Sequence, residues 1–216
     1  MLKLTNISQL VSYQSASDTV QTMSNIEILI EKETIQEIGP TVNNADEIID
    51  CSGRLVTPGF VDPHTHPVFY KGREEEYTMR LAGASYQEIA KNGGGILSSI
   101  KDVRNASEDD LVELVKKRMT RFIKLGTTTI EAKSGYGLDT ESELKSLRVL
   151  NRVNCDHPID IIPTFLGAHA FPPEFSDDPD GYVDLLCDEM IPAVGEQGIA
   201  QYCDVFCEKG YFSVEQ

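Results

Sequence analysis

From Gly59 onward the hydrophobic pattern alternates between a short strand period and a longer helical one, and this repetition limits the chain to few architectures. Gly59-Phe60-Val61-Asp62 predicts a short strand that runs into Pro63-His64-Thr65-His66-Pro67. Ser107 predicts a helix start in capping-box fashion, with Asp110 at the third position after it and acids through the first turn. Leu111, Leu114, Val115, Phe122 and Ile123 recur at helical spacing, and Gly126 ends the run. Thr127–Glu131 is strand-like and leads into the loop Ser134-Gly135-Tyr136-Gly137. Asp139 is placed to cap a second helix, on which Leu144, Leu147 and Leu150 share a face. Asp160–Leu166 predicts a third strand ending in Gly167-Ala168-His169, followed by a helix with Leu185, Leu186 and Val194 that is kinked or broken near Pro192. Tyr202–Glu208 predicts a fourth strand. Strands and helices in this order mean βα units and a parallel sheet. Four units fit between residues 59 and 216, whereas a closed (β/α)8 barrel takes about 250 residues. An open flavodoxin-like sheet of about four or five strands is the alternative.

The chain before this repeat is different. Leu2–Thr5, Ile26–Ile30, Thr34–Ile38, Ile48–Cys51 and Arg54–Val56 predict short strands, with Gly39-Pro40 as a stop. They make residues 1–57 part of a small β domain with many edges and no chemistry of its own, and residues 58–216 the α/β part. Charge narrows the partners. Against 19 Lys and Arg stand 35 Asp and Glu, a net charge of −16, which argues against nucleic acid or an anionic membrane surface. No apolar run approaches the roughly 20 residues of a spanning helix, and Met1–Leu10 lacks the pattern of a signal peptide. The five cysteines are scattered, without a CxxC pair. That usage fits reduced thiols in a soluble cytoplasmic chain. Cys203 and Cys207, four apart on the fourth strand, are expected as buried core thiols.

Side chains alternate along a strand, so His64 and His66 point one way and Thr65 the other. Two such imidazoles can both offer nitrogen to one divalent metal at about 2.1 Å. They sit at the carboxyl end of the first core strand, where barrels place catalytic groups. Asp62 is a candidate carboxylate partner for a ligating histidine. The plainer alternative is two hydrogen-bonded loop histidines without metal. His169, at the carboxyl end of the third strand, faces the same mouth as a ligand, a substrate donor, or a structural histidine bonded to a loop carbonyl. His157 lies in a polar loop before a strand and is expected to be solvated.

At this point the residues resemble a known family. Thr57-Pro58-Gly59-Phe60-Val61-Asp62-Pro63-His64-Thr65-His66 is similar to the first-strand signature of the metal-dependent amidohydrolase superfamily. Arg80-Leu81-Ala82-Gly83-Ala84-Ser85-Tyr86, Asn92-Gly93-Gly94-Gly95-Ile96, Lys133-Ser134-Gly135-Tyr136-Gly137-Leu138 and Thr164-Phe165-Leu166-Gly167-Ala168-His169-Ala170 together resemble the imidazolonepropionase family within it. The resemblance runs from about Asp50 to Gln216. It implies the first half of an amidohydrolase-type (β/α)8 TIM barrel, preceded by a small β-sandwich-like domain that later strands would complete. It also implies hydrolysis of the cyclic amide C–N bond of 4-imidazolone-5-propanoate to N-formimidoyl-L-glutamate, in histidine degradation. One divalent metal ion, Zn²⁺ or Fe, is implied, with His64 and His66 as its first two ligands; a further histidine, an acid and the general base are expected beyond Gln216. Arg73, Tyr136 and His169 match substrate-binding positions, and His169 is also the catalytic candidate here. Lys71-Gly72-Arg73 departs from the family's usual approach to that arginine.

Physical chemistry agrees with those roles. The substrate carries a carboxylate, and a guanidinium fork binds one bidentately; a surface ion pair with Glu74–Glu76 is the competing use of Arg73. Tyr136, between glycines, can lay its ring over the mouth; an exposed loop aromatic is the plain reading. Lys133 suggests a carboxylated lysine bridging two metals, but pairing with Glu131 is the favoured expectation. Gly93-Gly94-Gly95 lacks the surroundings of a nucleotide loop and is read as a hinge or close-packing loop. Two rivals remain: an amidohydrolase that deaminates a purine or pyrimidine, and a non-catalytic half-barrel. The 216 residues alone are expected to be inactive, and the bare edges of the first and fourth strands to favour a homodimer.

Overall fold

A computed structural model describes residues 1–85 and 94–216. The chain divides into two compact units, Met1–Gly59 and Phe60–Gln216. The first contains β1 (Leu2–Ile7), β2 (Gln9–Gln14), β3 (Thr19–Met23), β4 (Ile26–Glu31), β5 (Thr34–Gly39), β6 (Glu47–Asp50) and β7 (Leu55–Val56). They form a four-stranded sheet of order β5-β4-β1-β6 and a three-stranded sheet of order β3-β2-β7. Residues of both sheets share one small core of Ile7, Leu10, Ile26, Ile28 and Cys51. The buried Lys3 ammonium lies 2.8 Å from Glu27 and donates to the Val42 carbonyl at 3.2 Å, so the charge is both paired and hydrogen-bonded. The β2–β3 hairpin was not among the expected strands. Its Ser, Gln and Thr residues give no clean apolar alternation, and it forms because β2 ladders with both β3 and β7.

The second unit begins with β8 (Phe60–Thr65) and continues through α1 (Glu74–Leu81), α2 (Ile96–Asn105) and α3 (Glu108–Lys124) to β9 (Thr127–Lys133). Then come α4 (Thr140–Asp156), β10 (Asp160–Ala168), α5 (Pro179–Leu185), a π-turn over Leu186–Met190, α6 (Ile191–Gln197) and β11 (Tyr202–Val205). The strands form one parallel sheet in the order β11-β10-β9-β8, half of a barrel wall. The expected break near Pro192 takes the form of that π-turn, with the proline in the first turn of α6, where its missing N–H costs least. Ser107 caps α3 by accepting the Asp110 N–H at 3.1 Å, and Asp139 caps α4 by accepting the Ser142 N–H at 2.7 Å. The buried faces of α3 (Leu111, Val115, Met119) and α4 (Leu147, Leu150, Val153) join Ile130 and Ile161 of the sheet in one core.

Cys203 and Cys207 correct an expectation: both are exposed. β11 pairs only with β10 among the described residues and so has an open edge, and Cys207 lies beyond its end. The motif segments 80–86 and 92–96 fall partly outside the described residues, as does Gly93. Of that glycine run, Gly95 has φ 73° and donates its N–H to Glu76 at 2.8 Å. No helix among the described residues is long and apolar enough to cross a membrane.

Candidate active site

Parallel pairing brings the carboxyl ends of all four strands to one rim, where Thr65 faces Ala132, Lys133 faces Thr164 and Ala168 faces Val205. On β8 the alternation behaves as the spacing predicts. Thr65 is buried and its hydroxyl donates to the Glu131 carbonyl at 2.6 Å. His64 and His66 stand to the other side with ring centroids 5.4 Å apart. Asp62 does not reach an imidazole: its carboxylate accepts the His64 backbone N–H at 3.3 Å, stiffening the turn instead. Beyond His66 the chain is held by Arg118 of α3, which donates to the Pro67 and Phe69 carbonyls at 2.9 and 2.7 Å and lies 3.4 Å over the Phe69 ring. Burial alone pulls this guanidinium down to about 10.

His169, just past β10, stacks on His66 at 4.9 Å with 20° between the planes. Tyr136 completes the cluster, 5.6 Å from His66 and 5.4 Å from His169. Nδ1 of His169 lies 2.7 Å from the Gly135 carbonyl, so the proton belongs at Nδ1 and Nε2 is left as an acceptor. The close approach needs glycine at 135: φ is +104°, and a Cβ there would stand 2.7 Å from the Leu166 carbonyl and 3.0 Å from His169 Nδ1. Burial pushes His66 down to about 4, helped by the nearby basic groups His169, His64 and Lys133, whose protonation opposes its own. Burial also lowers His169, against the opposing pull of its bond to Gly135. Both rings are therefore neutral at neutral pH, the state in which imidazole ligates a metal or accepts a proton.

The fit to a metal can be tested on these residues. His66 Nδ1 is buried without a hydrogen-bond partner, a cost that a ligand would relieve. His64 and His66 are neighbouring imidazoles on one side of a strand end, which fits a first pair of ligands. Among the described residues no three His, Cys, Asp or Glu side chains are grouped to complete a set. Lys133 is committed elsewhere: its ammonium bonds Glu131 at 2.7 Å and Asp204 at 2.8 Å, as the favoured expectation had it for Glu131. His157 is remote, preceding β10, with Nε2 3.3 Å from the Thr120 hydroxyl and Nδ1 accepting the Ile159 N–H at 3.3 Å. It is thus bonded into the fold rather than simply solvated.

Arg73 directly precedes α1 and is weakly engaged, its Nε 3.9 Å from Glu76 with 39% of the side chain exposed. With Lys71, Ser99, His66 and Tyr136 it lines a cleft of about 380 Å³. The structure thus gathers His64, His66, Tyr136 and His169 as rings, and Arg73 lines the same cleft as His66 and Tyr136. Arg118, Asp204 and Glu143 were not singled out by the sequence. Their partners lie on other elements or in an irregular loop, so local pattern carried no sign of them.

No family model matches the chain. Among curated proteins, the imidazolonepropionase of Syntrophobacter fumaroxidans is 56% identical over 178 residues, covering 82% of this chain and 42% of that protein. That of Geobacillus kaustophilus is 50% identical over 203 residues, covering 90% and 48%. That of Christiangramia forsetii is 42% identical over 227 aligned residues, covering 99% and 55%. The chain spans about half the length of the curated relatives it matches, and the matched half is their N-terminal portion. In fold it is similar to a triazine hydrolase from Arthobacter aurescens (TM-score 0.64, 13% identity, 99% of this chain and 48% of that one). It is also similar in fold to 5-methylcytosine deaminase from Klebsiella pneumoniae (TM-score 0.58, 17% identity, 95% and 51%).

Proposed function

We propose that this chain supplies the first-half contribution to the site of an imidazolonepropionase, which opens the cyclic amide of 4-imidazolone-5-propanoate to N-formimidoyl-L-glutamate in histidine degradation. The carrying observation is that His66, Arg73 and Tyr136 line one cleft, with His169 stacked on His66, in a chain 42–56% identical to imidazolonepropionases over the matched stretch. In this reading residues 58–216 are the first four βα units of a (β/α)8 barrel. Residues 1–57 are the N-terminal part of a small β-sandwich-like domain.

His64 and His66 would hold one divalent ion, Zn²⁺ or Fe. When bound, that ion polarises the ring carbonyl and activates a water toward it. The rest falls to the chain. Arg73 takes the propanoate carboxylate in its fork. Tyr136 closes over the ring. His169 keeps its proton at Nδ1, against the Gly135 carbonyl, so Nε2 is free to accept a ring N–H and orient the amide. Water adds at the carbonyl carbon, the C–N bond breaks and the ring nitrogen leaves with a proton. The exposed Phe60, Val61, Tyr202 and Val205 on the edge strands β8 and β11 are where, in this reading, the remaining strands of the barrel would pack. The free cysteines suit a reducing, cytoplasmic setting.

The test is Arg73→Ala in the full-length protein, assayed on the acidic imidazolone and on a neutral ring analogue. Turnover of the acid is expected to fall by roughly 100-fold or more, as when a bidentate clamp is removed, while the neutral ring is spared. Equal loss on both would refute the assignment of Arg73 and favour a site built for a neutral ring.

A further inference from the structure

Glu143, in the first turns of α4, is fully buried, and burying a carboxylate is costly unless it is fully bonded. Its bonds all go to one place. Oε2 accepts the Gly135 N–H at 2.9 Å, and Oε1 accepts those of Gly137 and Leu138 at 2.8 and 2.9 Å. These amides belong to the loop between β9 and α4, which has no ladder of its own to satisfy them. The loop is also held in a backbone shape that needs holding: Gly135 has φ +104° and Leu138, a branched residue, φ 54°. Tyr136 sits inside this arc, and the Gly135 carbonyl at its start is the one that meets His169 Nδ1. A Cβ at Gly137 would come within 2.6 Å of Ser142, so helix α4 packs directly under the loop it braces.

We propose that Glu143 is a positioning residue of the site: its carboxylate fixes the arc that aims Tyr136 over the mouth and, through the Gly135 carbonyl, sets the orientation of the His169 ring. Glu143 acts only through the loop. The effect on turnover rests on the function proposed above; the effect on the loop does not.

The experiment is Glu143→Gln in the full-length protein, read by amide hydrogen exchange and by steady-state kinetics. Glutamine keeps the volume and one acceptor oxygen but turns an NH2 toward a backbone donor. Exchange at Gly135, Gly137 and Leu138 is expected to quicken by roughly tenfold or more while the amides of α3 and β10 keep their protection. Turnover of the imidazolone is expected to fall by roughly 10–100-fold, the size usual for residues that orient a site from behind. In a Tyr136→Ala background the same substitution should cost less, because the part of its effect that passes through that ring is already lost and only the part through His169 remains. Unchanged exchange at the three amides would overturn the proposal, as would an equal loss of turnover in both backgrounds. If the unmodified protein does not open the imidazolone, the functional reading fails. The exchange pattern then decides the positioning role alone. Should Glu143→Gln not fold, Glu143→Asp, which keeps the charge on a shorter stem, is expected to show the same pattern at smaller amplitude and is overturned in the same way.

Discussion

The two sides of the candidate mouth are built differently. On one side, Tyr136 and His169 rest on a loop bonded from every direction. Glu143 holds its amides, and Ser134 accepts the Leu166 N–H at 3.0 Å. From outside, Arg104 donates to the Gly137 and Leu138 carbonyls at 2.7 and 3.1 Å and pairs with Glu174 at 2.7 Å. On the other side, Arg73 stands at the head of α1 with a 3.9 Å ion pair and a half-exposed stem. The difference teaches where order is required. Under the proposed function, the groups that would meet a planar ring at fixed angles are bonded in place, while the cation that would take a carboxylate has one long ion pair.

The contrast can be broken most forcefully with glycine. Gly135→Ala is expected to cost about 1–3 kcal/mol, because φ +104° disfavours any side chain and the new Cβ meets a backbone carbonyl. Gly72→Ala, beside Arg73, is expected to stay within about 0.5 kcal/mol, since the atoms nearest its Cβ are the far end of the flexible Glu74 side chain. Thermal melts of the two variants measure this; similar losses would erase the distinction.

A smaller effect should appear in acid. Burial works against the charge of Glu174, but its hydrogen bond to Arg104, a backbone hydrogen bond and the charge of Arg104 together outweigh this and lower its pKa below the usual 4.5. A carboxylate lowered in the folded state adds stability above its unfolded pKa and loses that stability as pH falls through the folded value. Glu174→Gln should therefore lower the melting temperature slightly at neutral pH and leave it unchanged well below pH ~4. A deficit that persists unchanged into acid would mean the Arg104 brace does not depend on this charge.

Much of this was legible in the sequence, for physical reasons. The βα alternation, both helix caps and the placement of His64 and His66 follow from period and spacing, which are local. The Lys133–Glu131 pair was legible because the two lie two positions apart on one strand, but Asp204, 71 residues on, was not. Glu143 was hidden because a glutamate early in a helix reads as a solvent-facing charge. The β2–β3 hairpin is not legible because Leu10, Val11, Tyr13, Val20 and Met23 are interspersed with Ser, Gln and Thr without a clean alternation, and its pairing is set by a neighbouring strand. Cys203 and Cys207 were misplaced because a shared face says nothing about whether that face is covered.

The most direct test of the account is hydrolysis of 4-imidazolone-5-propanoate by the full-length protein, with metal content determined in the same sample. We expect bound zinc or iron and turnover that is lost on chelation and restored by the metal. His66→Asn should lose both metal and activity, with no restoration. Turnover that survives complete removal of the metal, or that His66→Asn leaves intact, would contradict the account.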